Sequence, residues 1–112
     1  MKLITVIIKP FRLDQLREAL SSGGVHGMTV SEVRGVGRND HADANHLDPE
    51  ANFSFAPKLK IEAVVEDDHA MRLIDLIAHA DHDGGIGGGK IFVSHIENAV
   101  RIRTGEVDET AL

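Results

Sequence analysis

A ferredoxin-like double βαβ sandwich, an α+β fold with an antiparallel sheet and its helices on one face, is the architecture this sequence specifies. Two observations predict it. Runs of β-forming residues lead twice into segments whose apolar residues recur at helical spacing, and glycine or polar breaks separate the resulting units into a repeated βαβ order. With 112 residues the chain is expected to be one domain, 1–112, large enough for a single core and small enough that oligomerisation would help to bury more surface.

The elements follow in order. Leu3 to Lys9 is β-rich and stops at Pro10; Leu13, Leu16, Ala19 and Leu20 then mark a helix that ends before Gly23-Gly24. Met28 to Arg34, with Val30 and Val33, reads as a second strand, and Leu59 to Val65 as a third that places Ile61, Ala63 and Val65 on one face. A second helix carries Leu73, Ile74, Ile77 and Ala78 up to His79, and Asp67 or Asp68 is expected to cap it. Lys90 to Val93 gives a fourth strand, and Ala99 to Ile102 is expected to form a short further one.

Between the second and third strands, Gly35 to Pro57 is a long excursion with two histidines and little that could enter a core. A loop of that length in a small domain is usually functional or disordered, so residues 37–56 are expected to bind or signal. The net charge of −6 argues against broad nucleic-acid or anionic-membrane binding. There is no Cys, no long apolar run and no secretory leader, and Met1-Lys2 passes straight into a strand, so the expected location is cytoplasmic, without direct membrane insertion.

Chemistry concentrates near the C-terminus. Gly84-Gly85-Ile86-Gly87-Gly88-Gly89-Lys90 is followed eleven residues later by Arg101-Ile102-Arg103-Thr104-Gly105-Glu106. Glycines let backbone amides approach an anion, and a lysine with two arginines supplies fixed positive charge, so segments 84–90 and 101–103 together suggest a phosphate site. On an extended strand Arg101 and Arg103 would share one face, with Ile102 on the other. The same residues also fit a mobile glycine loop and a pair of solvated arginines. The run is not a P-loop, because Ile91 stands where a Ser or Thr would complete the magnesium site.

Order and spacing resemble the PII nitrogen-regulatory signalling proteins over nearly the whole chain. The resemblance is carried by Met1-Lys2-Leu3-Ile4-Thr5 with Ile7-Ile8-Lys9-Pro10-Phe11, Gly27-Met28-Thr29-Val30 with Glu32-Val33, Pro57-Lys58-Leu59-Lys60-Ile61-Glu62, Lys90-Ile91-Phe92-Val93 and Arg101 to Glu106. It implies a homotrimer that binds ATP or ADP in clefts between neighbours and signals through protruding loops to a regulated partner protein, be it a transporter, an enzyme or a regulator. By that analogy Gly87, Gly88 and Gly89 hold phosphates, and Lys90, Arg101 and Arg103 neutralise them. Gly37, Arg38 and Asn39 approach from the base of the loop, while Thr29 and Val64 contact the adenine or ribose.

The resemblance also implies effectors, and here the sequence departs from its relatives. In the family a glutamine at the position of Asn39 helps to hold the Mg ion that bridges ATP to 2-oxoglutarate, and a lysine matching Lys58 pairs with the 2-oxoglutarate carboxylate. Asn39 has the same amide oxygen on a stem one methylene shorter, so it reaches a metal only if the backbone comes closer. Ala51 stands where many bacterial members carry a tyrosine for uridylylation, and the chain has no Tyr, so tyrosine modification is excluded. Asp83, Gly85 and Gly88 replace the Thr, Lys and Asp of a TGKIGDGK-like run, a loss of charge that predicts weaker nucleotide binding.

Seven histidines offer an alternative. Asn39, His41 and His46 in the long loop and His82 beside Asp81 and Asp83 are candidate ligands for a transition metal such as zinc, nickel or copper(II). Some divergent relatives are associated with heavy-metal efflux, so a metal-responsive regulator is the second function to weigh. An enzyme is not expected, since there is no Walker pattern and no evident water-positioning Gln near the glycine loop. An RNA-binding domain is not expected either, with four Phe, no Tyr and no Trp to stack on bases.

Overall fold

A computed structural model describes residues 1–36, 55–80 and 89–112. Six elements organise them: β1 (Lys2–Ile8), α1 (Leu13–Ser22), β2 (Thr29–Gly35), β3 (Ala56–Val65), α2 (Asp67–His79) and β4 (Lys90–His95). The sheet runs β2-β3-β1-β4 with every neighbouring pair antiparallel, and the two central strands are the first of each βα unit.

Alternation along the central strands decides which face is covered. Ile4, Val6 and Ile8 of β1 lie beside Ala63, Ile61 and Leu59 of β3, and all six are buried. Against them pack Leu16 and Leu20 of α1 and Ala70, Leu73 and Ile77 of α2, which recur at three- and four-residue spacing and so share one stripe on each helix. Burying a large aliphatic side chain contributes roughly 1.5–3 kcal/mol, so this single cluster is the main source of stability. Among the described residues no polar or charged side chain is buried. Among the described residues no helix packs on the opposite face of the sheet. That face presents Thr5 and Ile7 of β1, Lys58, Lys60, Glu62 and Val64 of β3, Thr29 of β2, and Lys90 and Phe92 of β4.

Four expectations need correction. β3 begins at Ala56, three residues before Leu59, so Ala56 and Pro57 belong to a strand. Pro57 pairs with Arg34 of β2, whereas the β1 pairing ends at Leu59, so a proline without an N–H costs no ladder bond on that side. β4 runs on to His95, two residues past Val93. The N-cap of α2 is Glu66, which makes no side-chain capping bond; Asp67 and Asp68 sit inside the first turn, where they complement the helix dipole. Asp67 also lies 2.9 Å from the Met1 ammonium, whose hydrogen bond holds its carboxyl below the ordinary carboxylate range, with further help from Lys2 and His95.

The fourth correction concerns Ala99 to Ile102. Only Val100 forms a bridge, to Val107, and Arg101–Glu106 is a closed turn. The Arg101 amide donates to the Glu106 carbonyl at 2.8 Å, and the Gly105 amide returns to the Arg101 carbonyl at 2.7 Å. Gly105 has φ +75°, a left-handed conformation in which a side chain would be strained. The backbone therefore turns where an extended strand was expected, and Arg101 and Arg103 do not share a strand face.

Candidate functional site

One end of the sheet gathers the chemistry. The C-terminal end of β1, the N-terminal ends of β3 and β4, and the last residue of β2 meet there because the neighbours are antiparallel. They enclose a cavity of about 180 Å³ lined by Ile7, Ile8, Lys9, Gly35, Val36, Lys58, Lys90 and Phe92. Ile7 and Phe92 give it an apolar wall, and three lysines from three different segments stand around it. No carboxylate is among the described residues that line it. Opposed strand ends thus concentrate positive charge beside an apolar surface, which suits a small organic anion.

Two features join this cavity to the long loop. Gly35 and Val36 lie immediately before residue 37, and Gly35 pairs with Ala56, the first residue of β3. A Cβ added at Gly35 would stand 3.6 Å from Lys58 Cγ, so the lysine stem lies along the strand where the loop departs. Nearby, Lys60 Nζ is 3.9 Å from Glu62 Oε1, a long ion pair across the same face.

A second cavity, of about 490 Å³, opens at the far end of β3. Gly27 and Val64 form part of its wall, with Glu66 and His69 at the start of α2 and Glu109, Ala111 and Leu112 from the C-terminal segment. Thr29 begins β2 opposite Glu62, which lies two residues before Val64 on the same face of the sheet.

The residues expected from sequence thus divide. Lys58 and Lys90 come together at the first cavity, where Lys90 is exposed and Gly89 precedes it. Val64 lines the second. Arg101 and Arg103 are exposed on the C-terminal turn and line neither cavity. Gly37, Arg38, Asn39, Gly87 and Gly88 lie outside the described residues, as do the metal candidates His41, His46 and His82. Among the described residues no group of three or more His, Asp or Glu is placed to hold a metal ion. Sequence reasoning missed Lys9, Gly35 and Val36 as members of the site. Their signal was available only through strand order, which brings the end of β1 beside the starts of β3 and β4.

Comparison with known proteins bears on what such an arrangement belongs to. The family model for "Nitrogen regulatory protein P-II" matches residues 1–106. The chain belongs to the P-II family. It is 49% identical over 112 residues to nitrogen regulatory protein GlnK of Escherichia coli (strain K12), with all of both chains covered. Nitrogen regulatory protein P-II of Rhizobium etli is likewise 49% identical over 112 residues, again the full length of both. The P-II protein of Bradyrhizobium diazoefficiens is 51% identical over 106 residues, 95% of each chain. The α+β sandwich and its antiparallel sheet agree with that membership, and among the described residues no helix is long and apolar enough to cross a membrane.

Proposed function

We propose that this P-II family member is a cytoplasmic, homotrimeric sensor of adenine nucleotides that regulates a partner protein in nitrogen metabolism through the loop 37–56. It acts as a regulator, not as an enzyme. The observation that carries this reading is the lysine-ringed cavity whose wall continues into the root of that loop. A polyphosphate or dicarboxylate supplies the negative charge the lysines favour, and its position is transmitted to the loop through Gly35, Val36 and the stem of Lys58.

The division of the site into two halves supports the oligomer. Lys58 and Lys90 sit at one end of β3, while Val64 faces the cavity at the other. Along β3, Lys58 and Val64 are six residues apart, roughly 20 Å at about 3.3 Å each. A ligand held between neighbours, with phosphates at Lys90 and Gly87, Gly88 and Gly89 of one and the base at Thr29 and Val64 of the next, uses both halves. Arg101 and Arg103 complete the second half, and Gly37, Arg38 and Asn39 the first. Asn39 would offer its amide oxygen to a Mg ion, which would supply charge to neutralise phosphate, and Lys58 would take the carboxylate of 2-oxoglutarate. The different occupants would bias different loop conformations, and only their difference in affinity for those conformations makes a signal.

Isothermal titration with ATP and magnesium, with and without saturating 2-oxoglutarate, tests the reading. ATP binding is the expected result, and if 2-oxoglutarate tightens it, linkage requires the reciprocal effect. No heat with ATP sinks the reading. ATP binding indifferent to 2-oxoglutarate keeps the nucleotide sensor and removes the carbon input.

A further inference from the structure

We propose that the C-terminal turn, residues 108–112, is an internal competitor for the phosphate at Arg101, so that the turn must open before that arginine can hold a nucleotide. The inference rests on the nucleotide reading above and adds a threshold to it. Arg101 Nη2 donates to the main-chain oxygen of Leu112 at 3.0 Å and to that of Ala111 at 3.4 Å. One end of the guanidinium fork is thereby committed to the protein's own backbone, and a phosphate gripped in the bidentate manner needs that end free.

The construction of the turn is that of a strap with one firm and one loose end. At the firm end the Asp108 amide donates to the Ala99 carbonyl at 2.7 Å, and the Ala99 amide returns to Asp108 Oδ1 at 3.2 Å. Thr110 Oγ1 then closes on the Val107 carbonyl at 2.7 Å. At the loose end the Leu112 amide reaches the Glu109 carbonyl only at 3.4 Å, so Arg101 provides the shorter hold on the last residue. Asp108 itself has φ +53°, an uncommon conformation for a residue with a side chain.

A second observation makes the contact an obstruction and not merely a brace. Glu109, Ala111 and Leu112 form the wall of the 490 Å³ cavity that Gly27 and Val64 also line, where the base is placed in the proposed site. The same few residues occupy the arginine and narrow the base pocket, and the Glu109 carboxylate adds charge unfavourable to phosphate. A nucleotide phosphate competes with these protein oxygens for Arg101, so its apparent affinity falls by the fraction of chains with the turn open.

Titrating ATP into the full chain and into a chain ending at Thr110 decides the matter. The shortened chain lacks both acceptors but keeps the Thr110 bond, and it should bind ATP about three- to tenfold more tightly, the factor set by the population of the closed turn. Thr110→Val, which retains every residue and loosens the turn, should act in the same direction with a smaller factor, and it stands in if the shortened chain fails to fold. In the full chain, saturating ATP should speed hydrogen exchange at the Leu112 amide. Equal or weaker ATP binding by the loosened chains, or unchanged exchange at Leu112, overturns the competitor and leaves the nucleotide sensor standing. ATP binding by none of the chains removes both, which separates the two failures.

Discussion

The two ends of the sheet are made from the same strands and gather different sets of charges. At the end where β1 begins, the Met1 ammonium meets Asp67 at 2.9 Å, and Lys2 stands directly across from His95 near the same carboxylate. Positive charge there has a partner inside the protein, and the result is structure. At the end where β1 finishes, Lys9, Lys58 and Lys90 surround an apolar cavity whose described lining holds no carboxylate. Charge concentrated in that way favours an anion from outside. The contrast teaches that strand order, and not the number of lysines in the chain, decides which of them are gathered beside the cavity.

The largest effect expected from any single change serves as the baseline for this contrast. Leu73→Ala removes a buried side chain from the core on which both ends rest, and it should cost about 2–5 kcal/mol in denaturant unfolding. ATP affinity, measured where the variant remains folded, should hardly change. A parallel collapse of binding would show that the cavity is not preformed by the sheet. Lys90→Ala should do the reverse: loss of a charge-assisted bond of about 1.5–3 kcal/mol weakens ATP by roughly 10- to 100-fold, with the thermal midpoint unmoved. Lys9 sharpens the comparison, since it lines the same cavity but is not among the residues proposed to hold the phosphates. Lys9→Ala should weaken ATP by no more than about fivefold, a surface-charge effect below about 1 kcal/mol. Equal losses for Lys9 and Lys90 would mean that the field of the whole lysine ring matters and not one positioned amine.

How much of this was legible in the sequence follows the range of the interactions involved. The periods of α1 and α2 are local, and Leu16, Leu20, Leu73 and Ile77 were legible from their helical spacing. The start of β3 was hidden because Pro57 reads as a strand breaker unless the reader knows that β1 stops short of it. The Arg101–Ile102–Arg103 alternation suggested a strand, but Thr104 and Gly105 close a turn whose decisive hydrogen bonds run back to Arg101. The lysine cavity was half legible. Lys58 and Lys90 were expected to act, whereas Lys9 and Gly35 join them only through the order β2-β3-β1-β4, a non-local fact that spacing along one chain does not contain.

The smallest expected effect tests the other end of the sheet. Asp67 has its carboxyl held below the ordinary value of 3.8, first through its hydrogen bond to the Met1 ammonium. A carboxyl lowered in the folded state binds its proton less readily there than in the unfolded chain. Its contribution to stability is therefore complete above the unfolded value and is lost as the pH falls through the folded one. Thermal midpoints taken from pH 6 down to pH 2.5 should show the native chain above Asp67→Asn near neutrality, with the gap closing below about pH 4 as the native carboxylate takes up its proton. ATP affinity at neutral pH should be the same in both, because this end of the sheet settles its charge internally. A gap that persists unchanged to pH 2.5 would mean that Asp67 stabilises the start of α2 without the ammonium, through packing or hydrogen bonds that an amide does not reproduce, and the charge pairing claimed for this end would fall while the lysine cavity at the other end stood.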